Sequence, residues 1–213
     1  MRQAEWRFIE SPPGEAAFNM ALDEALLRSV AERDSPPVLR VYSWSGPSVS
    51  LGYNQEIGRE IDLERCRHLG VAVVRRPTGG RSVYHDRELT YSLCGPGASA
   101  RLGRSLEETT RMVAEALCAA LDRLGISADE PARGHGAIRG AAGLCNPCFS
   151  SASRYEISVA GRKLIGSAQR RSAGDRAFLQ QGSVLIANSQ ARLDELAPGG
   201  RTAEETERIG RLL

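Results

Sequence analysis

The chain reads as an α/β or α+β domain, a mixed β-sheet with flanking helices. Three observations predict it. Short strand-like segments outnumber helical ones, two longer segments carry apolar residues at helical spacing, and two strand segments flank a tight Ala160-Gly161 turn. After Ser11-Pro12-Pro13-Gly14, Phe18, Ala21, Leu22, Ala25, Leu26 and Val30 recur at three- and four-residue spacing and predict the first helix. Residues 38–43 and 48–53 read as a strand pair around Ser45-Gly46-Pro47. Asp62 to Leu69 is a short helix closed by Gly70. The continuous apolar run Val71-Ala72-Val73-Val74 predicts an interior strand. Glu88 to Cys94 reads as another strand.

Ser105-Leu106-Glu107-Glu108 has the pattern of a capping box. Behind it Met112, Val113, Ala116, Leu117, Ala120, Leu121 and Leu124 form one stripe, ended by Gly125. Residues 126–147, rich in Gly, Ala and Pro, read as a long loop of the kind that serves as a lid or binding segment. Tyr155 to Val159 and Arg162 to Ser167 form a predicted hairpin, Ala177 to Ala187 another strand, and the polar tail from Thr202 a helix.

Composition narrows the function. The 213 residues are expected to form one domain, 1–213, with 41% hydrophobic and 25% charged residues, as in soluble globular chains. A net charge of +2 does not suggest a nucleic-acid partner, and no run of about 18 apolar residues suggests a membrane span. No signal-peptide core stands near the start. Five scattered cysteines, an odd number, suit free thiols in a reducing cytoplasm.

Lys163 is the only lysine among 28 Lys and Arg residues. An ammonium can lose its proton and act as a compact point charge, which a guanidinium cannot. Lys163 opens a strand just past a turn, and Gly166, Ser167 and Ala168 behind it leave room for a ligand against the backbone. A second segment, Arg75-Arg76-Pro77-Thr78-Gly79-Gly80-Arg81-Ser82-Val83-Tyr84-His85-Asp86, follows an apolar strand directly. Its glycines let backbone N–H groups approach a phosphate, carboxylate or thioester oxygen among three arginines. His85 is either a base or a structural partner of Asp86. The third segment is Cys145-Asn146-Pro147-Cys148-Phe149. One Cys-x-x-Cys without a second ligand cluster supports zinc weakly, and a single nucleophilic cysteine fits better. A thiolate needs a nearby cation, and Lys163 lies fifteen positions from Cys148.

These segments resemble the LipM-type octanoyltransferases of the biotin/lipoate protein ligase superfamily, which includes the lipoate-protein ligase A-like enzymes. The similar stretches are Trp6-Arg-Phe-Ile, Phe18-Asn-Met-Ala-Leu-Asp-Glu-Ala-Leu, the loop from Arg75 to Asp86, Glu88-Leu-Thr-Tyr-Ser, Cys148-Phe, Tyr155-Glu-Ile, Gly161-Arg-Lys-Leu-Ile-Gly-Ser-Ala-Gln and Leu179-Gln-Gln-Gly-Ser. The resemblance implies transfer of an octanoyl group from acyl carrier protein to a lysine of a lipoyl domain. That domain would be the glycine-cleavage H protein or a 2-oxoacid dehydrogenase acyltransferase subunit. It implies Cys148 as nucleophile, Lys163 as site lysine, and residues 75–81 as the wall of the acyl and carrier pocket, with no metal and no ATP. The family usually places His where this chain has Gln181, and LipM-type enzymes carry a further stretch beyond the last matched strand. The superfamily also implies alternatives: an ATP-dependent lipoate or octanoate ligase, an amidotransferase between lipoyl domains, or a non-catalytic binding homologue.

Overall fold

The computed structural model describes residues 5–33, 35–129, 156–187 and 189–200. Six strands form one mixed sheet: β1 (Arg7–Glu10), β2 (Val38–Tyr42), β6 (Glu88–Pro96), β9 (Ala177–Leu185), β8 (Arg162–Arg171) and β7 (Ile157–Val159), in that spatial order. Only the β1–β2 pairing is parallel. A second sheet has β3 (Ser48–Leu51) between β4 (Ala72–Arg75) and β5 (Val83–His85). Helices α1 (Ala16–Arg33) and α4 (Leu106–Arg123) are long. The helices α2 (Ile57–Glu60), α3 (Leu63–His68) and α5 (Arg192–Leu196) are short.

The two long helices cover opposite faces of the large sheet. Leu26, Leu27 and Val30 of α1 pack with Val38, Cys94 and Leu179. Val113 and Leu121 of α4 pack with Tyr91, Leu93, Ile165 and Phe178. The small sheet turns Val49, Leu51 and Tyr84 outward under α3 and α5, against Cys66, Leu193 and Leu196. By strand alternation its other face, with Ser50, Val83 and His85, looks toward the large sheet.

Several sequence expectations hold. Asp62 caps α3 by accepting from Arg65 N, and Ser105 caps α4 by accepting from Glu108 N at 3.1 Å. The return arm of the capping box goes elsewhere, since Glu108 accepts from Arg104 N at 2.8 Å. Ala160 and Gly161 both have positive φ and turn the β7–β8 hairpin, and the Asp129 carboxylate accepts from both their N–H groups.

Others need correction. β2 and β3 do not pair with each other. Gly14 bonds the backbone of Ser43 and Ser45, and Pro47 O accepts from Ala72 N, so the linker is held by other segments and crosses between sheets. The Val71–Val74 run is not interior: β4 is an edge strand with Ala72 and Arg75 exposed. The apolar stripes are displaced. In α1, Phe18, Ala21 and Ala25 face solvent, whereas Asn19, Met20, Asp23 and Leu27 are buried. In α4, Ala116, Ala120 and Leu124 are exposed, and the buried line runs through Thr109, Val113 and Leu121. For α1 the reason is electrostatic, because its inner face carries the partners of a buried arginine. The expected tail helix from Thr202 and residues 130–147 of the expected loop lie outside the described residues. Among the described residues no helix is long and apolar enough to cross a membrane.

Candidate active site

The facing polar surfaces of the two sheets enclose a cavity of about 250 Å³. The small sheet and its following loop contribute Ser50, Arg76, Thr78, Gly80, Arg81 and His85. The large sheet contributes Thr90, Gly166, Ser167, Ala168, Gln181 and Ser183. Met20, Tyr42, Trp44 and Glu156 complete much of the wall.

The loop wall is shaped by its own arginines. Arg76 is buried, and its guanidinium donates to the carbonyls of Ser50, Gly79 and Arg81 and to Ser50 Oγ, at 2.6–3.1 Å. Arg75 is exposed and lies off the cavity lining; its Nη1 donates to the carbonyls of Gly52, Tyr53 and Gln55. These two cations therefore hold backbone in place, while Arg81 stands exposed on the cavity wall. Gly80 has φ +90°, and Gly79 gives its carbonyl to Arg76. The loop passes so close to Gly52 that a Cβ there would overlap the Gly80 carbonyl oxygen. A Gly52→Ala chain should therefore lose about 1–3 kcal/mol by overpacking, read as a lower urea midpoint, with the 79–81 wall displaced.

Beneath the cavity lies a buried polar network that the sequence reading missed. Asp23 Oδ1 accepts from Arg40 Nη1 and Ser92 Oγ, and Oδ2 accepts from Tyr42 OH and Gln181 Nε2, at 2.6–2.8 Å. Arg40 is fully buried and also donates to Ser11 Oγ and to both oxygens of Asn19. Burial, then the Asp23 charge, holds the Tyr42 phenol well above its ordinary range, so it remains a donor. Gln181 is fixed from two sides, since Thr78 Oγ1 donates to its Oε1 at 2.8 Å while its Nε2 donates to Asp23.

A second chain of polar groups runs along the wall. His85 Nε2 lies 2.6 Å from Ser50 Oγ, and His85 Nδ1 lies 2.7 Å from Glu88 Oε1. The same carboxylate oxygen accepts from Thr90 and Ser183, and the Trp44 ring stacks on His85 at 3.8 Å. Burial alone would raise the Glu88 carboxyl, but His85 and the hydroxyl donors outweigh it, and the net shift is downward. His85 thus partners Glu88, not Asp86 as the sequence suggested.

Lys163 reaches this side of the sheet through a bulge. Val159 pairs with Arg162 and Ser158 with Lys163, but Ile157 pairs with Ile165, leaving Leu164 extra. Ile165 stays in the α4 core, and Lys163 shares the opposite face with Ser158. There it forms an ion pair with Glu156, with 5% and 9% of the two side chains exposed. Glu156 lines the cavity. Ser167 turns its hydroxyl to Tyr91 OH, 2.7 Å away.

Cys145, Cys148 and Tyr155 lie outside the described residues. The described cysteines are Cys66, Cys94 and Cys118, and burial pushes all three thiols up, with acidic neighbours adding to it. None of these three is poised as a nucleophile. Ser50, Glu88 and Glu156 were not singled out from the sequence. Glu88, Thr90 and Ser92 recur at every second position, and that was the available signal.

Comparison with known proteins places this arrangement. Residues 15–210 match the family described as lipoyl protein ligase A/B catalytic domain. Octanoyltransferase LipM of Kyrpidia tusciae is 43% identical over 186 residues, covering 85% of this chain and 66% of that protein. Octanoyltransferase LipM of Carboxydothermus hydrogenoformans is 44% identical, with 65% of its length covered. The chain thus spans just under two thirds of the length of these two relatives. Octanoyltransferase LipM of Bacillus subtilis is 39% identical over 98% of this chain and 76% of its own. Among solved structures, lipoate-protein ligase A bound with ATP superimposes with a TM-score of 0.68 at 25% identity, covering 96% of this chain and 81% of that one. The extent of these matches, on a fold whose two sheets enclose the site, shows that the chain belongs to the lipoyl protein ligase A/B catalytic domain family.

Proposed function

We propose that the chain is an octanoyltransferase. It moves an octanoyl group from acyl carrier protein to a lysine of a lipoyl domain, of the glycine-cleavage H protein or a 2-oxoacid dehydrogenase acyltransferase subunit. In this reading Cys148 attacks the carrier thioester, an acyl-enzyme forms, and the carrier thiol leaves. The acceptor amine then displaces Cys148 and becomes an amide. A thioester is already activated, so neither ATP nor a metal enters. Residues 1–213 act as one catalytic domain, and the free thiols of Cys66, Cys94 and Cys118 suit a cytoplasmic setting.

The observation that carries this reading is the buried Lys163–Glu156 pair beside the cavity. The chain's single lysine is held almost out of solvent on the cavity side of the large sheet, paired with a residue of the cavity wall, and a nearby cation is what an attacking thiolate requires. Support comes also from the LipM relatives. Intact-mass and peptide analysis after mixing with octanoyl carrier protein should find octanoyl on Cys148. An unmodified Cys148 under turnover conditions would refute the acyl-enzyme.

The similarity to lipoate-protein ligase A bound with ATP favours one second reading, ligation through an acyl-adenylate. It predicts product from free acid and ATP, undiminished in Cys148→Ser.

A further inference from the structure

The acyl tail of the proposed substrate is a plain hydrocarbon, so a wall that receives it must have met its own donors elsewhere. Most side chains in the described lining are polar, yet their donors are spent within the protein. Each guanidinium nitrogen of Arg76 donates to a carbonyl or to Ser50 Oγ. Tyr42 donates to Asp23 Oδ2, and Thr78 to Gln181 Oε1. The Gln181 amide nitrogen is directed at Asp23 and at Met20 Sδ. Trp44 Nε1 donates to Thr90 Oγ1 at 2.8 Å. Arg81 is the lining side chain that stands exposed.

One carboxylate oxygen gathers three of these groups. Glu88 Oε1 meets His85 Nδ1 at 2.7 Å and accepts from Thr90 at 2.7 Å and Ser183 at 2.8 Å. These three residues belong to β5, β6 and β9, and all of them line the cavity. Glu88 itself lies outside the lining, with 1% of its side chain exposed. A single acceptor behind the wall thus turns donors of both sheets away from the enclosed space. The space also has the reach that an octanoyl group needs. It runs from Ala168 in β8 over Gln181 in β9 to Tyr42 in β2, three strand spacings or about 14 Å. An extended chain gains about 3.6 Å per three bonds, so the seven carbon–carbon bonds of an octanoyl group reach roughly 8 Å.

We propose that Glu88 is a positioning residue that keeps His85, Thr90 and Ser183 from offering donors to the cavity, and that the cavity thereby selects a plain alkyl tail over one that carries an oxygen. The inference rests on the reading of an acyl chain as substrate. A carbonyl in the tail would lose its water on entry and find no donor in the wall, whereas an alkyl tail loses nothing. Replacing Glu88 by an apolar residue releases three donors at once, and the selection should relax.

The test uses the full chain and needs neither carrier protein nor chemistry at Cys148. Octanoic acid and a set of oxooctanoic acids, with the carbonyl at successive carbons of the tail, are titrated calorimetrically. The wild-type chain should bind octanoic acid roughly tenfold or more tightly than each oxo acid. In Glu88→Leu that ratio should fall to within about threefold for at least one oxo acid. Ser183→Ala removes one donor and orphans none, so it should widen the ratio. With carbon-13 in the methionine methyl groups, nuclear Overhauser contacts should join the octanoate methylenes to Met20 of the lining. Equal binding by the wild-type chain, an unchanged ratio in a folded Glu88→Leu, or no contact to Met20 would each overturn the proposal. Where circular dichroism finds Glu88→Leu unfolded, the wild-type ratio and the sign of the Ser183→Ala change decide, and a narrowing overturns it. A chain that shows these preferences but never carries octanoyl on Cys148 loses the acyl-enzyme reading alone. Normal acylation of Cys148 without the preference overturns this inference alone.

Discussion

An Arg40→Met chain is expected to lose about 3–5 kcal/mol of folding stability, or to fail to fold. Typical domains hold only about 5–15 kcal/mol in total, so the loss is a large fraction. Methionine fills much of the volume but removes the cation facing Asp23, and both side chains are fully buried. Asp23 would keep its donors from Tyr42, Ser92 and Gln181 but carry an uncompensated charge. The carbonyl and the side-chain oxygen of Asn19 would each lose the donor that Arg40 supplies. Urea unfolding followed by circular dichroism measures the loss. The double variant Arg40→Met/Asp23→Leu should be less destabilised than the sum of its parts, because the orphaned charge has gone. Strict additivity would show that the pair is not what stabilises this layer. The same network should reach function, since Asp23 holds Gln181, and Gln181 lines the cavity.

Lys163→Arg is expected to keep the fold and lose the reaction. Arginine can still pair with Glu156, so the melting temperature should move little. The guanidinium, however, is a planar fork with a fixed charge, larger than an ammonium, in a place where only 5% of the lysine side chain is exposed. It cannot yield a proton, and it cannot present the same compact charge to a thiolate. Octanoyl transfer should fall by roughly a hundredfold or more, with the larger part in acylation of Cys148. Full transfer by Lys163→Arg would return the single lysine to an accident of composition.

The sequence showed the elements better than their surroundings. The α3 and α4 caps, the Ala160-Gly161 turn and the loop from Arg75 to Asp86 are local, set by residues within a few positions of each other. What was hidden depends on partners far along the chain. Arg40 meets Asp23 from another element, so nothing near position 40 marked it as buried. The polar alternation of Glu88, Thr90 and Ser92 ordinarily means a solvent face. Here a second sheet covers that face, and Leu89 on the other side is 44% exposed. The inward polarity becomes visible only once Ser50 and His85 stand opposite. Lys163 was found by its rarity, whereas Glu156 had no such distinction among 26 acidic residues.

The extra residue at Leu164 gives the hairpin an unusual kind of sensitivity. A side-chain change there leaves the count of residues between the Ala160-Gly161 turn and Ile165 intact, and with it the aim of the ammonium. A deletion there would leave the turn and the core residue competing for one register. Either the lysine or the isoleucine would then face the wrong side of the sheet. At this position chain length carries the information that residue identity carries elsewhere, so an insertion or deletion between 161 and 165 should misdirect a side chain where a substitution at Leu164 would not.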